Sequence, residues 1–429
     1  MNYLIDMPHI DYIDFASRKD FKFISYIFVL FPFFIITGPF LCDLALCIIG
    51  VYFIYVSIKY KSFKFIKNKF FIIFIVFYFY LLIRGIFSID VYNSLIDKNG
   101  PIFYFRYIFF ILGISFILNI NPNLLKYFTI TFFIVILFVC IDGYFQSIFG
   151  YNFFGMITKD TNRLTGIFGK EQILGHYLGH SFPLLFALLV YFKNINKKNI
   201  IFYMLLLIFV EIISFISGDR AGFFKVLQFT ILMLLLSNQF KLVRLLAIIF
   251  TTLIILLLIN FNDKSKQRFG NTIDDISATS IPFLPYSPGH EKIFISSIDV
   301  FNSNKIFGIG PQLYRYYCKD YIVSQKSECS NHSHNYYFQL LSELGLIGVS
   351  FLFFFFIKLT FIFFKHFYSL YSHNKNYILQ DYYLFTLSQV FVIIWPIIPH
   401  LSFYNNHFNS MAYLSLAFLF YFNQFNVRR

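Results

Sequence analysis

The stretch NHSHN at 331–335 places His332, His334 and Asn335 directly against an apolar run that continues through VSFLFFFFIKLTFIFF. An ordinary imidazole accepts a proton from a hydroxyl near neutral pH. His334 is therefore a candidate base, and Asn335 a candidate cap for the first turn of the helix that follows. Two arginines stand at comparable junctions. Arg163 opens RLTGIFGKEQILGHYL, and Arg220 sits in SGDRAG, where Gly218 and Gly222 permit a tight turn and close helix approach. The planar fork of a guanidinium meets phosphate oxygens two at a time, and N–H groups at helix starts strengthen such a site. The plainer alternatives are a surface histidine, an interface anchor at Arg220 and a loop ion pair at Arg163. Proton transfer beside a bound polyanion is the chemistry these residue types suit.

The elements that must position them are membrane helices. The 429 residues are 58% hydrophobic and 13% charged, against roughly 25% charged in a soluble domain. Long uncharged runs such as FFIIFIVFYFYLLI and LLAIIFTTLIILLLIN read as transmembrane helices. Backbone groups in lipid need internal partners, and hydrophobicity that is continuous rather than alternating excludes a closed barrel. The expected fold is all-α, a polytopic bundle of about twelve spans. They fall near 23–38, 40–57, 70–87, 104–119, 126–147, 173–191, 199–216, 221–236, 243–260, 338–364, 379–398 and 410–425. The 66 Phe and 32 Tyr read as lipid-facing filler rather than a ligand-stacking surface.

Cytoplasmic loops carry the excess of Lys and Arg. With the N-terminus inside, Arg18, Lys19, Lys22 and KYKSFKFIKNK (59–69) fall inside. So do Lys193, Lys197, Lys198, Lys241, Arg244, Lys365, Lys375, Arg428 and Arg429. Both termini are expected in the cytoplasm, and no cleavable signal peptide is expected. Residues 148–172, 217–222, 261–337 and 400–408 then face outward, 261–337 being one large loop within a single membrane domain, 1–429. The net charge of +14 follows this pattern, so no nucleic-acid partner is expected. No internal repeat supports an inverted-repeat transporter.

Cys42, Cys47 and Cys140 fall inside expected spans and read as buried small residues. Cys318 and Cys329 share the large outer loop, and a pair in an oxidising compartment reads as a disulfide. The rival is a zinc site with His332 and His334, whose C-x10-C-x2-H-x-H spacing departs from the usual zinc spacings. No metal is expected.

His334-Asn335, nine residues, Gly345, two residues and Gly348 resemble the signature of the O-antigen ligase and O-antigen polymerase superfamily. Five further pieces fall in that family's order. They are DGYFQSIFGYNFFG (142–155), RLTGIFGKEQILGHYL (163–178), SGDRAG (217–222), NKIFGIGPQLYRYYC (304–318) and FYNNHF (403–408). The resemblance covers most of the chain from about residue 85 onward. It implies a glycosyltransferase of the GT-C type in the cell inner membrane, with one large periplasmic loop and its active site at the periplasmic face. The donor it implies is an undecaprenyl-diphosphate-linked glycan. Carried over by motif, the catalytic residues are His334 and Arg220. Arg163, Asn335, His290, Lys292 and Arg315 form the substrate-binding group. The family's further arginine near the start of the large-loop helix is replaced here by His290 of SPGHEKIFISSIDVF.

The implied reaction is inverting and independent of metal, nucleotide or other cofactor. The leading expectation is a ligase that moves glycan onto a lipid A-core acceptor. The alternative is a polymerase that joins lipid-linked repeat units, and the less favoured one a flippase for lipid-linked glycan. Transport predicts ionisable groups spread through the spans, and the mid-span charges counted are Asp43, Arg84 and Glu211. Glu343 reads as a poorer base than His334, or as a buried polar packing group. Gly345 and Gly348 are expected to allow close helix crossing.

Overall fold

The computed structural model describes residues 12–97, 100–157, 163–193, 196, 198–237, 239, 241–261, 263–279, 287–372 and 377–426. Lys197, Lys375, Arg428 and Arg429, which enter the charge pattern, lie outside them. Regular structure among the described residues is helical, apart from one isolated bridge between Tyr151 and Ile157. The first eleven helices are α1 (Tyr12–Ser17), α2 (Lys19–Ile36), α3 (Pro39–Lys59), α4 (Lys69–Ile86), α5 (Val91–Leu95), α6 (Arg106–Ile120), α7 (Leu124–Phe149), α8 (Leu174–Phe192), α9 (Ile200–Ile216), α10 (Arg220–Leu236) and α11 (Lys241–Phe261). The large loop contains α12 (Asp263–Ser277), α13 (Pro288–Ser303) and α14 (Tyr314–Tyr321). The chain then continues through α15 (Tyr336–Tyr371), α16 (Asp381–Ile393) and α17 (Asn406–Asn426).

Each of the twelve expected stretches contains a helix. Among the described residues, seven segments are long and apolar enough to cross a membrane: α3, α4, Pro101–Ile120, α7, α8, α11 and α15. The chain is an integral membrane protein. Local sequence sets where the helices begin. The side chains of Asn68, Asp219, Ser287 and Asn335 accept first-turn N–H groups at α4, α10, α13 and α15. Outward faces such as Phe250, Leu253 and Leu257 of α11 stay exposed, a surface suited to lipid rather than water.

α8 is the hub of the bundle. Some 83% of its most apolar window is buried, against 17% for α11 and for α15. It packs against α7, α9, α10, α16 and α17. Its crossing with α10 is the closest in backbone terms: a Cβ added at Gly222 would lie 2.1 Å from the carbonyl carbon of Gly175. That crossing brings the two helix starts, Leu174 and Arg220, to the same end of the bundle.

Two expectations need correction. The stretch 379–398 is helical only as α16, to Ile393, because Pro396 cannot continue the helix. The carbonyls freed beyond it are caught by side chains from the start of α15. Tyr337 Oη donates to Ile394 O at 2.8 Å, and Asn335 Nδ2 to Pro396 O at 2.8 Å and Ile398 O at 3.2 Å. Irregular backbone at membrane depth persists where protein groups satisfy it in this way. Buried ionisable groups are also more numerous than counted. Lys225 of α10 and Arg244 of α11 are fully buried, as is Asp142 of α7. Arg244, grouped above with the cytoplasmic charges, donates to the carbonyls of Met233 and Ser237 that close α10.

Candidate active site

His334 and Asn335 divide the labour at the start of α15. Asn335 is 1% exposed. Its Oδ1 accepts from Tyr337 N at 2.9 Å and Phe338 N at 3.3 Å while its Nδ2 serves the two carbonyls above. Every polar atom of the Asn335 side chain is thus engaged within the protein. His334 has a φ of 49°, in the left-handed region, and its carbonyl accepts from His400 N at 2.7 Å. Its Nε2 meets Ser330 Oγ at 3.3 Å. Burial, and then the neighbouring His176, push its imidazole below the usual range.

Three more expected residues join it. The His290 ring lies edge to face with His334, centroids 5.4 Å apart, and His332 lies 4.0 Å from it on another side. His290 is pushed down to about 4 by burial, by His334, and by the charges of Arg220 and Arg163. Those two arginines thus act on the same ring. His332 is pushed down to about 3 by burial, His334 and Arg315, and its Nε2 is buried with no hydrogen-bond partner among the described residues. Arg220 Nη1 pairs with Asp275 Oδ2 of α12 at 2.6 Å, while its Nε is buried and unpartnered. Arg163 has a long contact, 3.4 Å, to Gln172 Oε1. Three histidines held toward the neutral form therefore share one patch with Arg220, Arg163 and the neighbouring Arg315, in which Arg220 Nε and His332 Nε2 have no hydrogen-bond partner among the described residues.

Lys292 does not join this group. It follows His290 by two residues on α13, which turns it to the opposite face, and its half-exposed Nζ pairs with Glu328 at 3.7 Å. Cys318 and Cys329 are bonded to each other, Cα atoms 5.9 Å apart, which leaves neither thiol for the zinc alternative.

Glu343 and the glycines have a different task. Glu343 is buried, and its Oε2 accepts from Gln312 N at 2.9 Å. It holds the turn where Gln312 adopts a φ of 61°. Gly345, at φ 66°, breaks α15, and the loop 305–310 pairs with the backbone on both sides of the break. Ile309 N donates to Ser342 O, Gly310 N to Glu343 O and Leu346 N to Lys305 O, at 2.9 to 3.1 Å. A Cβ at Gly345 would lie 2.3 Å from Ile306 O. What crosses at Gly345 is a loop, not a helix, and the atoms nearest a Cβ at Gly348 belong to Leu344 of its own helix. Arg84 fastens the same loop, donating to Phe307 O and Gly308 O at 3.0 and 2.9 Å.

Residues absent from the expected list complete the floor of the site. His176, in the first turn of α8, places Nδ1 2.5 Å from Asp219 Oδ2, and its backbone N donates to the same oxygen at 2.8 Å. Burial alone would raise the Asp219 carboxyl. His176 and the N–H of Gly222 hold it below the ordinary carboxylate range instead. One turn further along α8, His180 Nε2 lies 3.5 Å from Lys225 Nζ. The signal was legible in LGHYLGH, where Gly175/Gly179 and His176/His180 both repeat at four-residue spacing, one helical face carrying small and titratable groups together.

Residues 202–353 match the family model described as O-antigen ligase. The matched segment runs from α9 through the outer helices and includes Arg220, His290, Arg315 and His334, while Arg163 and His176 precede it. No curated protein matches the chain.

Proposed function

Taking the chain as a member of the O-antigen ligase and polymerase superfamily, we propose that it is an O-antigen ligase. It takes a glycan from an undecaprenyl-diphosphate carrier at the periplasmic face of the cell inner membrane and joins it to a lipid A-core sugar. The observation that carries this reading is the patch itself. Arg220 has a buried Nε without a partner among the described residues, and Arg220 and Arg163 both act on the His290 ring that lies against His334, an arrangement that fits a diphosphate lying next to a reacting hydroxyl. The acceptor oxygen bonds to the anomeric carbon from the face opposite the diphosphate, so the configuration inverts. The bond from carbon to diphosphate oxygen breaks, and its electron pair leaves with the diphosphate. Arginines aimed at that growing charge stabilise it more than they stabilise the bound donor, which is what lowers the barrier. The reading asks nothing of a metal, since the guanidinium groups supply the positive charge.

The test is a surface-polysaccharide gel with lipid-linked glycan analysis, comparing a deletion strain with one carrying His334→Ala. Bare core with long chains still on the carrier lipid is the expected result in both. Core bearing one repeat unit and no ladder assigns the polymerase reaction instead. Unchanged glycan in the deletion strain overturns the reading.

A further inference from the structure

His334 is not the best-equipped proton acceptor at this site. A base is most effective when a third group fixes its tautomer and orientation and stabilises its protonated form. Among the described residues no carboxylate bonds to His334, and its Nε2 meets the Ser330 hydroxyl at 3.3 Å. His290 uses Nδ1 on Ser287 Oγ at 2.8 Å, and His400 uses Nε2 on Ile393 O at 3.0 Å. Among the described residues, His176 is the one histidine whose ring nitrogen meets a carboxylate.

The pairing is built into the backbone. Asp219 caps α10 through Oδ1, which accepts Gly222 N at 3.1 Å, and its Oδ2 takes both the ring and the backbone N–H of His176. Gly175 and Gly222 make room for it: a Cβ at Gly175 would lie 2.7 Å from the Cβ of Asp219. A carboxylate only accepts, so Nδ1 carries a proton, and in the neutral ring it is Nε2 that holds the lone pair. No described residue bonds to that Nε2. The ring is braced by Phe408, edge to face at 6.0 Å, and its side chain keeps 14% exposure. The charged and titratable groups around it are Asp219 at the cap of α10, Lys225 of α10, His180 of α8, and His334 and His400 from the loops above, with Arg163 beside Asp219.

We infer that His176 is the catalytic base of the transfer proposed above, that Asp219 positions it, and that His334 orients the acceptor. This rests on the glycosyltransferase reading. The acceptor hydroxyl gives its proton to His176 Nε2 as its oxygen bonds to the anomeric carbon. The carbon–oxygen bond to the diphosphate breaks, and the proton then passes from His176 to solvent.

The experiment uses full-length protein in membranes of the deletion strain, with the lipid-linked glycan accumulated there as donor and transfer followed from pH 5 to 9. His176→Asn keeps an amide donor for Asp219 but removes the base. It is expected to lower kcat by about 100-fold with KM for the donor within about twofold. Asp219→Asn keeps the shape and removes the charge. Its rate is expected to fall, and the acid-side decline to move to lower pH, because the protonated base loses its counter-charge. Transfer by His176→Asn within about threefold of wild type overturns the inference. So does an Asp219→Asn profile lowered equally at every pH, which remains decisive if His176→Asn fails to fold. Arg220→Gln in the same assay separates the two levels. If it is inactive while His176→Asn is active, only this inference fails; if it transfers normally, the diphosphate reading fails with it.

Discussion

Arg106 and Arg220 are each the first residue of a helix, and each meets a carboxylate, Asp43 at 2.9 Å and Asp275 at 2.6 Å. Beyond that contact they diverge. Arg106 spends its remaining donors on Phe103 O, Tyr107 Oη and Asn406 Oδ1, lies over the Tyr107 ring, and is 12% exposed. Arg220 has Asp275 and a buried Nε with no hydrogen-bond partner among the described residues, and is 30% exposed. A cavity of about 370 Å³ opens beside Arg106, not beside Arg220. Volume alone would therefore favour the Arg106 cluster, although most of that cation's donors are already engaged. Capacity left unsatisfied identifies a polar site better than empty space does.

The comparison can be broken most directly by exchanging charge for amide at both arginines. Arg220→Gln is expected to lower glycan transfer by about 100- to 1000-fold, while the folded protein persists in detergent. Arg106→Gln should do the reverse. Transfer per folded molecule stays within about threefold, and stability falls by about 1–3 kcal/mol, since it leaves the partly buried Asp43 unpaired. Equal losses of transfer in the two variants would erase the distinction.

A smaller effect separates the clusters by pH. His290 and His332 are held down to about 4 and about 3. The folded protein therefore refuses protons that the unfolded chain binds below about 6.5. Their contribution to stability is complete above about pH 6.5 and declines as pH falls through this window. Heat-aggregation midpoints at pH 7 and about pH 4.5 should show that decline, and His290→Gln with His332→Gln should lessen it. The smallest effect belongs to Lys292→Ala. An exposed ion pair is worth about 0–1 kcal/mol, and transfer should be unchanged. A large loss of transfer would return Lys292 to the binding group.

How much of this was legible in the sequence depends on the distance over which each interaction acts. Helix positions follow from local hydrophobicity, so the twelve stretches were readable, and the Asn335 cap acts over three residues. The early end of α16 was half-written in Pro396, but the side chains that catch its carbonyls come from Asn335 and Tyr337, some sixty positions earlier. Lys225 escaped because hydropathy averages it into an apolar helix, and its neighbour His180 is on another helix. Arg84 was visible as a charge within a span, but its partners, the carbonyls of Phe307 and Gly308, are not marked by any residue type. His176 and Asp219 belonged to motifs already singled out for their arginines. The glycine and histidine repeat of LGHYLGH needed to be read as one face.

The break at Gly345 also decides where this chain can change length. Between Asn304 and Leu313 the backbone is keyed to α15 from Ser342 to Leu346, with Gly308 less than 2.5 Å from a Cβ clash with Glu343 and Leu344. One inserted residue there would slide each of those partners by a position and push a side chain into the gap. The ring closed by Cys318 and Cys329 is seated on α13 instead, where Asp299 Oδ2 accepts from Val323 N and Ser324 N and Lys292 O accepts from Glu328 N, so an insertion there would disturb α13 rather than the break at Gly345.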